Sequence, residues 1–404
     1  MTTHQIAPTV RLYFTDPYLQ EFTAQVVARH QTEDHWLVAL DRSAFYPEGG
    51  GQLPDHGTLN GVPVTDVQVA DEIVWHHLPA PLLADEVHGL IDWPRRFDFM
   101  QQHHGQHLLS AAFEQLFGAP TVAVHLGEES CTVDIENTSL SPDQLVAAEE
   151  WTNRVIYDDL PVHVRFVTPE ELASLALRRP PKVHDRVRIV SAGDVDHSAC
   201  GGTHPRRTGE VGIVALRRWE RRGDSLRIEF ICGSRALHDY RAKTAIITTL
   251  ANELSVAAVD LPAALQRVRL AEETSRKALA SARRELCVYE AQASLAAATE
   301  INGMPVVAQV LHDRPLDEVR LLARAIADGG GIALLALAGD KAQFVFSRAT
   351  TLHPDMGALL RTAAAIVGGK GGGKADAAQG GGPNVALIDV ALAAAVEALQ
   401  DVHS

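Results

Sequence analysis

The pattern of apolar and polar positions divides the chain into segments of different character. Over residues 8–80, short runs of alternating apolar and polar residues are separated by turns that contain glycine, asparagine or aspartate. Such runs predict antiparallel strands, and closely spaced strands predict a small β-barrel. The clearest runs cover residues 10–14, 23–29, 36–40 and 64–70. We therefore expect residues 1–90 to form a barrel subdomain.

Residues 91–235 mix helical and extended patterns, which predicts an α+β domain. Apolar residues at helical spacing predict a helix over residues 99–116. Ser141 before Pro142 is typical of a helix start, and this helix should run to about Tyr157. A short helix is expected at residues 169–176, and strands are expected at residues 121–126, 131–135, 162–167, 187–190, 211–218 and 225–232.

Residues 236–302 are rich in alanine and charged residues and predict a helical linker. Apolar residues recur there at alternating spacings of three and four, namely Leu265, Val268, Leu279, Ala282, Leu286, Tyr289 and Ala293. Glu272 and Ser275 interrupt this series. The pattern predicts a weak coiled coil or helical hairpin, and a single amphipathic helix packed on a neighbour fits it equally. A homodimer could form through this linker or through the C-terminal domain.

Residues 303–404 predict a second unit of α/β type. Buried strands are expected at residues 306–311, 332–338 and 343–347, and helices at residues 316–327, 356–367 and 386–399. Gly368, Gly373 and Lys374 have the spacing of a nucleotide-binding P-loop. Ala375 stands where Ser or Thr would hold magnesium, and a helical pattern precedes the segment, so we reject nucleotide hydrolysis.

The same glycine-rich segment has two other interpretations. It could be a flexible linker, since its composition is typical of one. It could also be a loop whose backbone N–H groups, together with Lys370 and Lys374, bind RNA phosphates. We prefer the second interpretation because two lysines lie within the glycines.

Composition and charge limit the classes of function. A net charge of −15 argues against a general nucleic-acid binder. Residues 178–227, however, hold 12 Lys and Arg against 6 Asp and Glu, among them Arg178, Arg179, Lys182, Arg186, Arg188, Arg206, Arg207, Arg217, Arg218, Arg221 and Arg222. This cluster is either a phosphate-binding surface or a solvated face with local salt bridges.

The chain shows no signal peptide and no apolar stretch long enough to span a membrane. Its four cysteines are scattered and do not resemble a disulfide framework. We therefore expect a cytoplasmic protein of two or three domains, with no membrane partner.

Two short motifs form a candidate metal site. His103 and His107 are four residues apart on a predicted helix and so share one face. Cys200 and His204 enclose two glycines and a threonine, which allow a tight turn. Three histidines and one cysteine make a tetrahedral zinc set. His197 is an alternative ligand, and His104 should point elsewhere on the helix.

These motifs resemble a known family. The His-x-x-x-His and Cys-Gly-Gly-Thr-His motifs, together with the glycine-rich segment at residues 45–52 followed by Asp55 and Gly57, resemble the editing domain of alanyl-tRNA synthetases and of freestanding alanyl-tRNA editing proteins. The threonyl-tRNA synthetase editing domain has the same two pairs of metal ligands, but the Gly-Gly-Thr sequence between Cys200 and His204 favours the alanine type. The C-terminal part resembles the domain found in alanyl-tRNA synthetases and attached to DHH phosphoesterases.

The resemblance implies a freestanding deacylase of the long type, with Zn²⁺ as cofactor and tRNA as partner. It would hydrolyse the ester that joins serine, or also glycine, to the 3′ end of alanine tRNA. Gln52 and Thr203 would position groups in the site, and Ser43, where the family usually carries Thr, would read the serine hydroxyl. The alternative is a zinc-containing tRNA-binding module without turnover.

Overall fold

The computed structural model describes residues 6–136, 139–172, 175, 177–178 and 187–401. The chain divides into two compact units, Met1–Thr249 and Leu250–Ser404. Both units combine helices with sheets, so the predicted α+β class is confirmed.

The first unit begins with a strongly curved antiparallel sheet that nearly closes into a barrel. Its strands run in the order β6-β5-β9-β2-β3-β8-β7, with β1 paired to β4 beside it. The strands are β1 (Val10–Arg11), β2 (Glu21–Gln31), β3 (Trp36–Leu40), β4 (Arg42–Ser43), β5 (Gly57–Leu59), β6 (Val62–Val64), β7 (Asp66–Ala70), β8 (Ile73–Leu78) and β9 (Glu86–Ile91). Phe22, Leu40, Phe45 and Leu78 fill its core. The predicted strand at residues 10–14 is wrong in part, because Leu12–Phe14 forms a 3-10 helix.

The rest of this unit is built around helix α1 (Trp93–Phe117), which Asp92 caps and Gly118 ends in a left-handed conformation. A sheet in the order β10-β11-β16-β15 packs on α1 and α2, and a smaller sheet has the order β12-β13-β14. The elements are β10 (Thr121–Leu126), β11 (Cys131–Ile135), α2 (Pro142–Tyr157), β12 (Val162–Val167), α3 (Pro169–Leu172), β13 (Val187–Ala192), β14 (Asp196–Ala199), β15 (Val214–Arg222) and β16 (Ser225–Cys232). Ser141 caps α2 in a capping box with Gln144, as expected.

Helix α1 runs through the interior, and every residue from 99 to 113 is buried. Its polar residues therefore need partners inside the protein. Gln102 exchanges two hydrogen bonds with the backbone of Cys232 at 2.8 and 3.1 Å. A Cβ atom on Gly105 would lie 2.3 Å from the Cys232 sulfur, so glycine is needed where the helix meets β16.

A buried ion pair joins the barrel to the first turns of α1. Arg96 Nε lies 2.8 Å from Asp55 Oδ1, and both side chains are almost fully buried. Arg96 also donates to the carbonyls of Ala44 and Pro17, and the Tyr46 N–H donates to Asp55. The charges are thus compensated, and several backbone segments meet at one guanidinium.

The second unit contains a sheet covered by helices on both faces. Its strand order is β17-β18-β19-β20-β22-β21, in which only the β18–β19 pair is parallel among the described strands. The chain enters it through α4 (Gly233–Glu253) and α5 (Leu261–Ala296). The later elements are β17 (Thr299–Ile301), β18 (Met304–His312), α6 (Leu316–Asp328), β19 (Ile332–Ala338), β20 (Ala342–Arg348), α7 (Met356–Ile366), β21 (Lys370–Gly373), β22 (Ala377–Gly382) and α8 (Ile388–Gln400).

Helix α5 packs on α6 only through its C-terminal half. Cys287 and Ala291 join the buried cluster that contains Leu322 and Ile326. Leu261 and Ala264 at the start of the helix are also buried, whereas the large apolar residues between them and the C-terminal half, such as Leu265, are exposed. Among the described residues no single helix meets the criteria for a membrane span, although Gly233–Glu253 and Ala258–Ala296 taken together, as a bent pair, meet them by length and composition.

The glycine-rich segment is a β-hairpin in the structure, so the predicted loop is wrong. Strand β21 lies at the sheet edge and pairs with β22, with Gly371 opposite Gly380. A Cβ atom on Gly371 would lie 2.8 Å from the Gly380 Cα atom and 2.4 Å from Leu360. The glycines therefore allow strand pairing under α7, which the composition alone did not indicate.

Candidate metal centre

The two predicted ligand pairs lie together in the first unit. His103 and His107 occupy successive turns of α1, and Cys200 and His204 lie in the turn that follows β14. One candidate ligand atom from each residue can be chosen so that all four lie within 4.8 Å of one another. The structure thus brings together the three histidines and the cysteine that the motifs indicated.

The spacing suits a small tetrahedral ion. Cys200 Sγ lies 3.3 Å from His103 Nε2 and 3.3 Å from His204 Nε2. Metal–sulfur bonds of about 2.3 Å and metal–nitrogen bonds of about 2.0–2.1 Å give a tetrahedral edge of about 3.5 Å. The His107 ring is 4.8 Å from the His204 ring, centroid to centroid, which completes the cluster.

A network that reaches the barrel loop fixes the outer nitrogen of His103. His103 Nδ1 lies 2.7 Å from Gln52 Oε1, and Gln52 Nε2 donates to Thr203 Oγ1 at 2.9 Å. Because an amide oxygen only accepts, Nδ1 carries the proton and Nε2 keeps its lone pair for an ion. Gln52 and Thr203 are both fully buried beside the cluster.

A carboxylate fixes His107 in the same way. His107 Nδ1 lies 3.1 Å from Asp196 Oδ2, and Arg178 Nε donates to Asp196 Oδ1 at 2.8 Å. A carboxylate on the outer nitrogen orients the imidazole and makes its inner nitrogen a stronger ligand. Asp196 and Arg178 therefore belong to the site, although the sequence did not indicate either role.

His104 is the partner of the fourth ligand. His104 Nδ1 lies 3.1 Å from His204 Nδ1, so one nitrogen donates and the other accepts. If His204 presents Nε2 to an ion, its Nδ1 donates and His104 Nδ1 accepts. His104 is fully buried. The expectation that it points away from the cluster is wrong, because it contacts His204, although it lies outside the group of four candidate ligands.

The electrostatics favour a thiolate. Burial alone would raise the pKa of Cys200, but His103 and His204 hold the pKa of this thiol well below its usual range. Burial also acts to lower the pKa of His107, but hydrogen bonds to Asp196 and Cys200 raise it to about 9. Burial lowers the pKa of His104 to about 3, which keeps this ring neutral. The cluster thus offers the anionic sulfur that a metal requires.

The turn that carries Cys200 packs closely against His103 and is partly exposed. A Cβ atom on Gly202 would lie 2.2 Å from His103 Cε1, so no side chain fits there. Gly201 is exposed and Cys200 is partly exposed, whereas His103, His107 and His204 are buried. The turn is therefore the most exposed part of the cluster.

The structure does not bond Ser43 to this cluster. Ser43 Oγ lies 2.8 Å from His76 Nε2, and the Phe45 N–H donates to the same oxygen at 3.1 Å. His76 Nδ1 is 3.0 Å from the Val38 carbonyl, so Nδ1 is the donor and Nε2 accepts the Ser43 proton. The Ser43 hydroxyl thus already has a donor and an acceptor in the barrel core.

The predicted RNA-binding residues lie elsewhere. Arg217 and Arg218 pair with Glu229, Arg222 pairs with Glu220, and Arg221 is exposed. Lys370 and Lys374 are exposed in the second unit. Arg179, Lys182 and Arg186 lie outside the described residues, and the alternative ligand His197 instead contacts Ser191 at 2.8 Å.

Comparison with known proteins identifies the family of the chain. Residues 187–229 match the family described as the threonyl and alanyl tRNA synthetase second additional domain, and residues 303–401 match the DHHA1 domain. The alanyl-tRNA editing protein AlaX-L of Pyrococcus horikoshii is 30% identical over 384 residues, which cover 92% of this chain and 94% of that protein. The chain therefore belongs to the family of alanyl-tRNA editing proteins.

Alanyl-tRNA synthetases are also similar. The alanine–tRNA ligase of Methanoregula boonei is 34% identical over 406 residues, which cover 96% of this chain but only 43% of that enzyme. The C-Ala domain from Aquifex aeolicus alanyl-tRNA synthetase, a solved structure, matches 26% of this chain at 24% identity with a TM-score of 0.25, too low for a structural comparison.

The role of Asp196 can be tested by replacing its carboxylate. Asp196→Asn should weaken metal binding by about 10- to 100-fold, because the partner that orients His107 loses its charge. Competition with a chelator at fixed pH gives the affinity, and Asp194→Asn, an exposed change in the turn just before β14, is the matched control. Equal affinity in both variants and the wild type would show that Asp196 does not support the site.

Proposed function

We propose that this protein hydrolyses the aminoacyl ester of mischarged alanine tRNA, with Ser-tRNA as the main substrate and Gly-tRNA as a further one. The cluster of three histidines and a cysteine, joined through His103 to Gln52 and Thr203, carries this proposal. Family membership supports it, since a relative of nearly equal length is an alanyl-tRNA editing protein.

The ion that fits this donor set is Zn²⁺. Three imidazole nitrogens and one thiolate are ligands that zinc binds in tetrahedral geometry, whereas magnesium and calcium prefer oxygen. When bound, zinc would supply a Lewis acid for the ester carbonyl or for a water molecule. Cys200 is the partly exposed member of the cluster, so a water or substrate group would reach a coordination position from its side.

The chain's own residues position the substrate. The side-chain oxygen of Gln52 accepts a hydrogen bond from His103, and one of its N–H groups donates to Thr203. Its second N–H therefore remains available to the substrate. Thr203 accepts from Gln52, and its hydroxyl proton has no acceptor within the described part of the chain. Both groups can therefore hold an ester or a hydroxyl next to the ligands, which is the orientation that accelerates hydrolysis of a labile ester.

Selectivity must come from the serine hydroxyl. Alanine is smaller than serine, so a pocket cannot exclude it by size, whereas polar groups left unpaired by alanine penalise it. Ser43 is the proposed specificity residue. Its hydroxyl is already bonded in the barrel, so it would act through its remaining lone pair, while Thr203 is the alternative beside the ligands.

We also propose that tRNA contacts the basic surface of β15 and the glycine-rich hairpin. Arg221 and Arg222 lie at the exposed end of β15, and Lys370 and Lys374 lie in the hairpin at the edge of the second sheet. Arg217 and Arg218 both pair with Glu229, which neutralises part of their positive charge. Exposed cations of this kind attract phosphates without reading sequence.

The reaction and the ion can be tested together with purified protein. The wild type should contain one zinc per chain and deacylate Ser-tRNA faster than Ala-tRNA. The double variant His103→Ala, His107→Ala should lose zinc and at least about 100-fold in rate, because the ion stabilises the transition state by several kcal/mol. His197→Ala is the control. Stoichiometric zinc in the double variant would refute the ligand assignment, and zinc without deacylation would identify a tRNA-binding module without turnover.

A second measurement addresses selectivity. Ser43→Ala should lower the ratio of kcat/KM for Ser-tRNA to that for Ala-tRNA by about 2- to 13-fold, the value of one neutral hydrogen bond. Zinc content should not change, because Ser43 is not a ligand. Thr203→Val removes the other hydroxyl at nearly constant volume and serves as the comparison. A ratio that falls only for Thr203→Val would remove Ser43 from the specificity pocket.

The RNA surface can be tested through salt dependence. Changing Arg217, Arg218, Arg221 and Arg222 to glutamine should weaken tRNA binding and reduce the salt slope by at most about one unit per lost contact. Lys370→Gln with Lys374→Gln should do the same to a smaller extent. Four exposed cations on α5 provide the control, namely Arg267, Arg269, Arg276 and Lys277. An unchanged slope in the first variant would mean that this surface faces solvent only.

A further inference from the structure

A buried arginine beside the cluster has no partner, among the described residues, for Nε and Nη2, which carry three of its five N–H donors. Arg188 lies on β13 opposite Phe166 and is only 6% exposed. Its Nη1 donates to the carbonyls of Cys200 and Gly202, each at 2.8 Å. The guanidinium is thereby attached to the backbone of the turn that carries the cysteine ligand.

The other edge of this guanidinium is unsatisfied. Arg188 Nε and Nη2 are buried, and no protein atom accepts a hydrogen bond from either of them in the part of the chain that the structure describes. Buried donors without partners are costly, and more so when they carry charge. An arginine held in this state is therefore a candidate for binding a ligand.

The geometry of the edge indicates an anion. Nε and Nη2 are adjacent on one side of the planar group and present two parallel N–H bonds, the arrangement that donates to two oxygens of a phosphate or a carboxylate. Arg188 makes no ion pair with any described carboxylate, and the Phe14 ring centroid lies 5.3 Å from the guanidinium carbon. The Cys200 thiolate acts on Arg188 electrostatically, but it accepts no hydrogen bond from Nε or Nη2.

We propose that the Nε–Nη2 edge of Arg188 binds the phosphodiester that precedes the terminal adenosine of the tRNA. The inference rests on the proposed function and names the group that holds the substrate's 3′ end. In that substrate the carboxyl of the amino acid is esterified and its amino group is cationic, so the nearest anion to the ester is this phosphate. Because the same guanidinium holds the Cys200 and Gly202 carbonyls, the phosphate would be fixed relative to the metal turn.

Binding of two stable analogues by the full-length protein tests this assignment. One is 3′-deoxy-3′-(L-serylamino)adenosine, whose amide resists hydrolysis, and the other is its 5′-methylphosphate diester. The diester should bind about 10- to 100-fold more tightly to the wild type, which is the range for hydrogen bonds to a charged group. Calorimetry measures both affinities without requiring turnover.

Substitution of the arginine should remove this difference. Arg188→Lys keeps the charge but cannot offer two parallel donors, so the gain from the phosphate should fall to about threefold or less. The readout is the ratio of the two affinities within each variant, because losing the Nη1 contacts to the turn would lower both affinities alike. Arg165→Lys, an exposed change on the neighbouring strand β12, is the matched control and should keep the full gain. Zinc content of each variant shows whether the turn at Cys200 is intact.

The possible outcomes separate this inference from the proposed function. Equal wild-type affinity for both analogues, or failure of both to bind, would overturn the phosphate assignment even if Ser-tRNA is deacylated. Binding of free serine that depends on Arg188, with no gain from the phosphate, would assign the edge to a product carboxylate instead. If Arg188→Lys loses zinc, the difference in affinity between the two analogues in the wild type still tests whether the phosphate is bound. Absence of Ser-tRNA deacylation is the separate result that refutes the proposed function.

Discussion

The buried ion pair between Arg96 and Asp55 is the interaction on which the site depends. Asp55 follows the glycine-rich segment of the barrel, and Arg96 lies in the first turns of α1. Removing one partner of such a pair generally costs about 3–5 kcal/mol, because the other charge remains buried. The pair sets the distance between the barrel loop that carries Gln52 and the helix that carries His103. Two turns of helix, about 10.5 Å, separate Arg96 from His103.

Each histidine ligand is oriented by a different part of the first unit. Gln52 comes from the barrel loop, Asp196 from β14, and His104 from α1 itself. The inner nitrogens therefore converge only when barrel, helix and small sheet are packed together. An intact cluster therefore requires that this packing is complete. Removing any of the three contacts would change the orientation of one histidine while leaving the four candidate ligands in the chain.

Sequence reasoning succeeded where the signal is local. A spacing of four residues on a helix is enough to place His103 and His107 on one face, and Ser141 with Pro142 marks a helix start. Arg188 and Asp196 carry no such signal, because they approach the site only through the pairing of β13 with its neighbours. The glycine-rich hairpin was missed for a related reason. Glycine is rare in strands, and here close packing against Leu360 overrides its preference.

The chain distance between the ligand pairs has a consequence for how the protein folds. Cys200 and His103 are separated by 97 residues, so the cluster cannot form from a local segment. Closing so long a loop carries an entropic cost that rises only slowly with length, but contacts of this kind generally form after local ones. An ion bound by all four ligands would then act as a cross-link that forms late. Its loss would release a connection that spans 97 residues of the first unit while leaving α1 and the barrel strands as locally stable elements.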